Sequence, residues 1–388
     1  MARYFKYLAW ELLSIPLAIL TRLFKGHGKY IIFGSNGGRG YADNSRYLFE
    51  ELFGERFENI FWLTNSSAVR DELREKNYPV LYCWSIKGIY VSIRARLVVY
   101  CFDIYDVNPY AINKSARTIN LWHGVSPKKL GRLNEHSYLY NPSTVADVLK
   151  RLTFRRKLLK PDIFVTPTAD LVDFYSHAFG LSNESILLAP YPRTQYLLKK
   201  RSERKESGNG KPTRGRLKIL WTPTLRDRGD NELFSEQHFQ ALSKVACKLD
   251  LVIGVKPHPA QKIGAGQVEY ANLEWLNPSD DLYESLANCD CVMTDISSII
   301  IECQSAEIPV LIYFPDLEEY SKRERSLTVP LEDYLGRISI NLDEVSKELR
   351  QLEQEGLADG AAGHGLGYYE LCDASKFNWP DFVRRMAD

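Results

Sequence analysis

The sequence predicts an α/β protein of two doubly wound domains, each a parallel sheet covered by helices on both faces. Three observations carry that prediction. A chain of 388 residues exceeds what one ordinary core fills, so two domains are expected. Short apolar runs that stop at turn residues alternate with longer amphipathic stretches, first from Lys29 and again from Leu217. Between the two series, Lys199 to Arg216 loses its apolar periodicity and reads as a mobile, basic loop.

Composition narrows the class. A hydrophobic content of 45%, a charged content of 26% and a formal net charge of +1 describe a globular chain, neither disordered nor a general nucleic-acid binder. The seven cysteines are an odd number, and most lie in apolar surroundings, as reduced cytosolic thiols do. Cys289-x-Cys291 has no second pair and no nearby histidine, so neither a metal site nor a redox site is expected.

Residues 1–28 carry Arg3, Lys6, Arg22 and Lys25 around an apolar middle with one acid, Glu11. That middle is shorter than the roughly twenty residues that cross a bilayer, and no small-x-small cleavage site follows it. It reads as a helix lying in the membrane interface, with Trp10, Leu13, Leu17 and Leu20 inward and basic residues toward anionic head groups. An ordinary helix packed on the domain is the plainer alternative.

From Lys29 the first domain begins. Strands are expected at Tyr30 to Gly34, Asn59 to Leu63, Val80 to Cys83, Leu97 to Phe102, Thr118 to Trp122 and Ile163 to Thr166, with a helix from Asn44 to Phe53. The loop Gly34 to Gly40 is glycine-rich but matches no dinucleotide or P-loop pattern. The segment Leu121-Trp122-His123-Gly124 delivers a histidine at the carboxyl end of a strand, where open α/β sheets bind ligands, and Lys128 and Lys129 follow as phosphate-neutralising groups. His123 there suits a general base for a hydroxyl nucleophile, a structural histidine bonded to backbone being the alternative. Residues 148–160 hold six basic residues and no acid, a second segment suited to an anionic membrane surface or to a plain solvated face. If both basic segments are interfacial, the acceptor of the reaction is lipid-linked.

The second series repeats the pattern. Lys218 to Trp221 is a strand ending in Thr222-Pro223-Thr224-Leu225-Arg226-Asp227, a turn able to present a hydroxyl and a guanidinium to an anion. Leu251 to Val255 ends in Lys256-Pro257-His258-Pro259, whose prolines hold the imidazole in a fixed loop. After Leu273 to Leu276 and a helix from Asp280 to Ala287, the strand Cys291 to Met293 opens into Thr294-Asp295-Ile296-Ser297-Ser298 and a second apolar run. Asp295, Ser297 and Ser298 fall where a helix starts, so they serve as caps or as a phosphate turn. Pro309 to Phe314, a glycine-rich segment over 359–365 and a last helix from Trp379 to Met386 complete the chain.

Taken together and in this order, these loops resemble those of the CDP-glycerol glycerophosphotransferase family, which includes the teichoic-acid primases and polymerases. The resemblance runs through Gly40 to Leu48, the Trp-His-Gly segment with its Lys-Lys-Leu-Gly tail, Tyr191-Pro192-Arg193, the Thr222 to Asp227 turn, Lys256 to Pro259, Asp280 to Tyr283 and Thr294 to Ser298, then Pro309 to Tyr320. It implies a GT-B architecture: two Rossmann-like domains facing across a cleft, here 29–190 on the acceptor side and 191–365 on the donor-nucleotide side. The last residues, 366–388, would pack back on the first domain. It also implies that His123 and His258 are catalytic, that Thr222, Arg226, Lys256, Thr294, Asp295, Ser297 and Ser298 hold the donor, and that Asn44, Lys128 and Arg193 contact acceptor or phosphate. The implied reaction moves phosphoglycerol from CDP-glycerol, or another CDP-activated polyol phosphate such as ribitol phosphate, to a lipid-linked glycan at the inner leaflet, with loss of CMP. Wall teichoic acid and capsule are both candidate products. Neither a cofactor, a dedicated metal nor nucleic acid is called for, and the expected place is peripheral, on the cytoplasmic face of the membrane. Val125, Leu225 and Ile296 depart from residues common in the family and bear on the polyol and the acceptor more than on the reaction. A GT-B glycosyltransferase using a nucleotide sugar, or a catalytically silent membrane-surface scaffold, is the rival reading.

Overall fold

The computed structural model describes residues 14–23, 28–125, 128–135, 137, 139–140, 144–153, 155–207, 216–224, 232–258, 269–278, 280–323, 335, 337–355 and 369–387. The chain divides into two compact units, Met1–Gly124 with Lys129–Gln195 and Glu370–Asp388, and Val125–Lys128 with Tyr196–Tyr369.

In the first unit, β1 (Tyr30–Phe33), β2 (Ile60–Thr64), β3 (Val80–Tyr82), β4 (Ala95–Tyr100), β5 (Arg117–Asn120), β6 (Ile163–Thr166) and β7 (Ile186–Leu188) form one sheet. The order is β3-β2-β1-β4-β5-β6-β7 and every pairing is parallel. Parallel strands are covered on both faces and therefore lack polar alternation, and Leu97, Val98 and Val99 of β4 are accordingly fully buried. The helices are α1 (Ile15–Leu23), α2 (Asp43–Gly54), α3 (Ser67–Glu75), α4 (Ile86–Ile93), α5 (Val145–Thr153) and α6 (Val172–Phe179). Serine caps start two of them: Ser66 Oγ accepts from Val69 N in α3, and Ser85 Oγ accepts from Gly88 N in α4. α6 stops at Gly180, whose φ of 67° is left-handed.

α7 (Pro192–Glu206) carries the chain from one unit into the other, the division falling after Gln195. This corrects the expectation of a loop over 199–216, of which 208–215 lie outside the described residues. Lysine, arginine and glutamate are good helix formers, and Pro192 suits a first helical turn. Leu197 is fully buried, and polar arms anchor the following turns: Arg201 and Arg204 donate to the Cys289 carbonyl, and Arg204 pairs with Asp290 at 2.6 Å.

The second sheet repeats the first arrangement. β8 (Lys218–Thr222), β9 (Val252–Val255), β10 (Leu273–Trp275), β11 (Cys291–Thr294), β12 (Val310–Tyr313) and β13 (Ile338–Ser339) run in the order β10-β9-β8-β11-β12-β13, again all parallel. Its helices are α8 (Glu236–Lys248), α9 (Leu282–Asn288), α10 (Ile299–Ser305), α11 (Leu317–Arg323) and α12 (Leu342–Glu355). Trp221, Leu242, Ile253, Met293 and Val345 meet in one core cluster. Each such side chain contributes about 1.5–3 kcal/mol by leaving water. In both sheets the order reverses beside the first strand, at β1/β4 and β8/β11, which places a ligand-binding crevice at the carboxyl ends there.

The chain ends with α13 (Trp379–Ala387), grouped with the first unit. Trp379 is fully buried and its Nε1 donates to the Pro190 carbonyl, while Arg384 pairs with Glu55 at 2.6 Å. At the other end, α1 exposes Ile15 and Ile19, and Leu17 is partly covered. Trp10, Leu13, the side chain of Leu20 and the glycine-rich segment 359–365 lie outside the described residues. Among the described residues no helix is long and apolar enough to cross a membrane.

Candidate active site

In the first unit the site is built at the carboxyl ends of β1, β4 and β5. Gly34, which follows β1, has no room for a Cβ: one would lie 2.1 Å from the Asp106 carbonyl oxygen. That close approach brings the glycine-rich loop against Asp106, whose buried carboxylate accepts from Gly37 N at 2.7 Å, Cys101 N at 2.9 Å and Phe102 N at 2.8 Å. Burial pushes the Asp106 carboxyl up to about 7, against the downward pull of those three N–H groups. The consequence is a fixed shelf at Cys101 and Phe102.

His123 rests on that shelf. Its ring stacks on Phe102 with centroids 4.1 Å apart and planes 14° apart, and Trp122 lies 4.0 Å away on the tilt. Nδ1 is 3.4 Å from the Cys101 carbonyl, which only accepts, so Nδ1 carries the proton and Nε2 the lone pair. Burial lowers the His123 pKa, with the nearby Asp43 carboxylate pulling the other way. A neutral imidazole with a free Nε2 is the form that takes a proton.

The backbone under His123 is held from behind. Trp122 sits at φ 56°, an uncommon conformation for a bulky residue. Asn44 Nδ2 donates to the Trp122 carbonyl at 2.8 Å, and Arg193 Nη2 donates to the His123 carbonyl at 3.1 Å. Arg193 Nη1 also pairs with Asp43 at 2.7 Å, and Arg193 N donates to Asn44 Oδ1 at 3.3 Å. Asn44 is 0% exposed and Arg193 5% exposed. These two residues therefore brace the histidine loop from inside. Lys128, grouped with the second unit, is partly buried with Nζ 5.0 Å from the Tyr320 ring centroid.

In the second unit the expected donor residues gather at the carboxyl ends of β8, β9 and β11. Asp295 is buried and its two carboxylate oxygens accept from Thr224 N at 3.1 and 3.2 Å, so it ties the β8 turn to the β11 turn. Thr294 Oγ1 donates to the Thr222 carbonyl at 2.7 Å, reinforcing the same tie. Thr222 Oγ1 itself is buried with no partner among the described residues. Ser297 and Ser298 are partly exposed at the start of α10; Ser297 Oγ accepts from Ile299 N at 3.4 Å, and Ser298 occupies the cap position without a side-chain cap bond.

Lys256 is 5% exposed and donates to the carbonyls of Asn277 and Asp280 at 2.5 and 2.7 Å, which holds the loop before α9. Burial lowers its pKa while Asp280 and Asp281 raise it. His258 is exposed at the edge of its loop, and its partly desolvated ring has a lowered pKa. Arg226 lies outside the described residues. Among those residues no group of three His, Cys, Asp or Glu side chains is placed to hold a metal ion, and the cysteines are free thiols, with Cys247 exposed and Cys372 half-buried.

Sequence reasoning passed over Asp106, Phe102 and Asp43. Asp106 and Phe102 lie in Cys101-Phe102-Asp103-Ile104-Tyr105-Asp106, which has no motif spacing; the one signal was a cluster of acids just past a buried strand. Asp43 stood inside the Gly40 to Leu48 motif without a role assigned to it.

Comparison with known proteins supplies a second line. The family model described as "CDP-Glycerol:Poly(glycerophosphate) glycerophosphotransferase" matches residues 18–361. Among curated relatives, a teichoic acid poly(glycerol phosphate) polymerase of Bacillus spizizenii is 26% identical over 330 residues, 81% of this chain and 81% of its own length. A teichoic acid ribitol-phosphate primase of the same organism is 27% identical over 335 residues, 84% of this chain and 81% of its own. The chain spans less of some longer relatives, 46% of a polymerase from Staphylococcus epidermidis. Among solved structures, the wall teichoic acid polymerase TagF superposes with a TM-score of 0.73 at 19% identity, covering 100% of this chain and 97% of that one. The shared fold is GT-B, with one Rossmann-like sheet in each unit.

Proposed function

We propose, from the premise that this chain belongs to the CDP-glycerol:poly(glycerophosphate) glycerophosphotransferase family, that it transfers phosphoglycerol from CDP-glycerol to a hydroxyl of a lipid-linked glycan acceptor. The chain is a transferase. The acceptor oxygen forms a bond to the phosphorus that carries glycerol, the bond from that phosphorus to the bridging oxygen breaks, and CMP leaves with the bridging oxygen. The acceptor proton goes to Nε2 of His123. The single observation that carries this reading is the setting of His123: ring-stacked on Phe102, with Nδ1 3.4 Å from the Cys101 carbonyl, and buried so that its pKa is lowered, which suits a neutral ring accepting at Nε2.

The second unit's loops supply the donor side. Ser297 and Ser298, with the N–H groups of the first turn of α10, face charge on the pyrophosphate, and Thr222 offers a hydroxyl. Asp295, Thr294 and Lys256 fix the loops that carry these groups. His258 and Arg226 offset charge on the departing CMP. Asn44 and Arg193 act by positioning His123, and Lys128 serves acceptor phosphate.

The chain works on the cytoplasmic face of the membrane, peripherally. Support comes from exposed Leu158 and Leu159, which stand between Lys157 and Lys160, from exposed Val145 and Val148 of α5, and from exposed Ile15 and Ile19 of α1. The similarity to a ribitol-phosphate primase favours one second reading, transfer of ribitol phosphate from CDP-ribitol.

The test is to incubate the purified protein with CDP-glycerol, CDP-ribitol or UDP-sugars, together with membrane lipid extract, and identify the nucleotide released. CMP from CDP-glycerol is the expected product. CMP from CDP-ribitol alone moves the polyol; a nucleoside diphosphate from a sugar donor overturns the reaction, and no release from any donor overturns the activity.

A further inference from the structure

Beside the His123 shelf, and wholly within the first unit, lies a cavity of about 550 Å³ that the donor chemistry does not use. It lies at the carboxyl ends of β4 and β5 and beside the start of β6. Its floor is aromatic: Trp122, Phe164 and Phe179 line it, and they pack together with centroids 5.0 to 5.5 Å apart. Its rim is cationic. Arg132 and Lys160 line it, are exposed, and enter no ion pair among the described residues. Arg151 also lines it but is spent on the Leu139 carbonyl at 2.9 Å, and Lys157 is paired with Asp103, the acid in the lining, at 3.3 Å. Leu159 forms the outer lip and is 55% exposed.

Phe102 is shared. It lines the cavity and also stacks on the His123 ring, so a ligand in the cavity lies one aromatic ring from the general base. An apolar floor under a rim with two uncommitted cations matches a ligand that is apolar along its length and anionic at one end, since desolvation favours the first part and charge-assisted hydrogen bonds the second. The exposed lip at Leu158 and Leu159 is flanked by the exposed cations Lys157 and Lys160, which suits a ligand entering from a lipid layer.

We infer that this cavity is the acceptor's anchoring site, holding the phosphate-bearing head of a lipid-linked acceptor with the phosphate at Arg132 and Lys160 and the first carbons of the chain over Trp122, Phe164 and Phe179. The inference rests on the glycerophosphotransferase reading and adds the part of the acceptor that the first unit recognises. It divides the acceptor into an anchored lipid phosphate and a reacting hydroxyl that is carried to His123 on the far side of Phe102.

The test uses the full-length protein and calorimetric titration with octyl phosphate, octanol and inorganic phosphate. Octyl phosphate is expected to bind, and the double variant R132A/K160A is expected to weaken it about tenfold, in line with loss of two screened charge-assisted contacts. The variant Leu159→Asp, at an exposed position, puts an acid on the lip and is expected to weaken octyl phosphate while leaving CDP-glycerol binding unchanged. Inorganic phosphate binding as tightly as octyl phosphate overturns the lipid part of the inference; octyl phosphate binding unchanged in both variants overturns the site. The two readings fail separately. CMP release from CDP-glycerol with octyl phosphate binding indifferent to the variants removes the anchoring site and leaves the activity. Variant-sensitive binding with no CMP released from CDP-glycerol does the reverse.

Discussion

Removing the Arg193 guanidinium tests the bracing of the histidine loop. Its side chain is 6% exposed, its ion pair to Asp43 spans 2.7 Å with Asp43 13% exposed, and its second nitrogen holds the His123 carbonyl at 3.1 Å. Arg193→Met leaves the Asp43 carboxylate without its cation in a largely dry site, a change that costs about 3–5 kcal/mol when a buried pair is broken from one side. The Asn44 N–H still donates to Asp43 at 2.8 Å, so the lower end, about 3 kcal/mol, is expected. Asp43→Asn removes the charge and costs less, about 2 kcal/mol from one charged hydrogen bond. The double variant D43N/R193M no longer carries an unpaired charge and is expected to fall short of the summed single losses by about 2 kcal/mol. Urea unfolding of the four proteins measures that coupling. Turnover should fall with it, since a shift of about 1 Å at the base costs about 10²-fold, with KM for the donor held. Additive stability losses, within about 0.5 kcal/mol, refute the coupling. A single variant that loses stability but keeps full kcat refutes the positioning role.

Further predictions follow from the same geometry. Asp106→Asn turns one amide NH₂ toward a backbone N–H that then has no acceptor, so stability is expected to fall by about 1–3 kcal/mol and kcat to fall with donor affinity unchanged, read by urea unfolding and by nucleotide binding. The rate should decline as pH drops through the lowered pKa of His123, because the protonated ring cannot take the acceptor proton; an acid limb centred above the ordinary value of about 6.5 contradicts the burial that lowers it. His238, half-buried against Trp221 and Tyr313, has its pKa lowered by burial to about 4. The unfolded chain then binds that proton more readily, so stability present above about pH 6.5 declines toward pH 4 by at most about 3 kcal/mol. His238→Gln should flatten this decline in a pH series of thermal melts, and an unchanged slope assigns the acid sensitivity elsewhere. Gly34→Ala, whose Cβ meets the Asp106 carbonyl at 2.1 Å, should abolish soluble expression or lower the melting temperature by more than any neighbouring loop substitution.

Much of this fold was written in local pattern. Parallel strands buried on both faces appear as unbroken apolar runs, and Tyr30 to Phe33, Ile163 to Thr166 and Val310 to Tyr313 were read within a residue of their bounds. Edge strands were harder: β7 is three residues, Ile186–Leu188, with Leu188 45% exposed, and it carries no apolar run long enough to stand out. α7 was missed for a physical reason. Its helix is stabilised by arginines that reach the Cys289 carbonyl and Asp290, partners some 85 residues away that no periodicity in 199–206 announces. The histidine was legible because Trp-His-Gly follows a strand, but its support was not: Asn44 and Arg193 hold the Trp122 and His123 carbonyls while Asp106 fixes the Cys101–Phe102 segment under the ring, from three separate parts of the chain. The resemblance implied acceptor or phosphate contacts for Asn44 and Arg193; their burial and their hydrogen bonds to the Trp122 and His123 carbonyls are features that only the fold displays.

The central claim is that His123 is the general base, and its most direct test pairs donor affinity with turnover in His123→Ala. General-base catalysis contributes on the order of 10²- to 10⁴-fold, so CMP release from CDP-glycerol should drop by that factor while the CDP-glycerol Kd, measured by titration, stays within about twofold of the parent. Donor affinity lost with turnover preserved contradicts the account, because it makes His123 a binding residue and leaves the acceptor proton without a base.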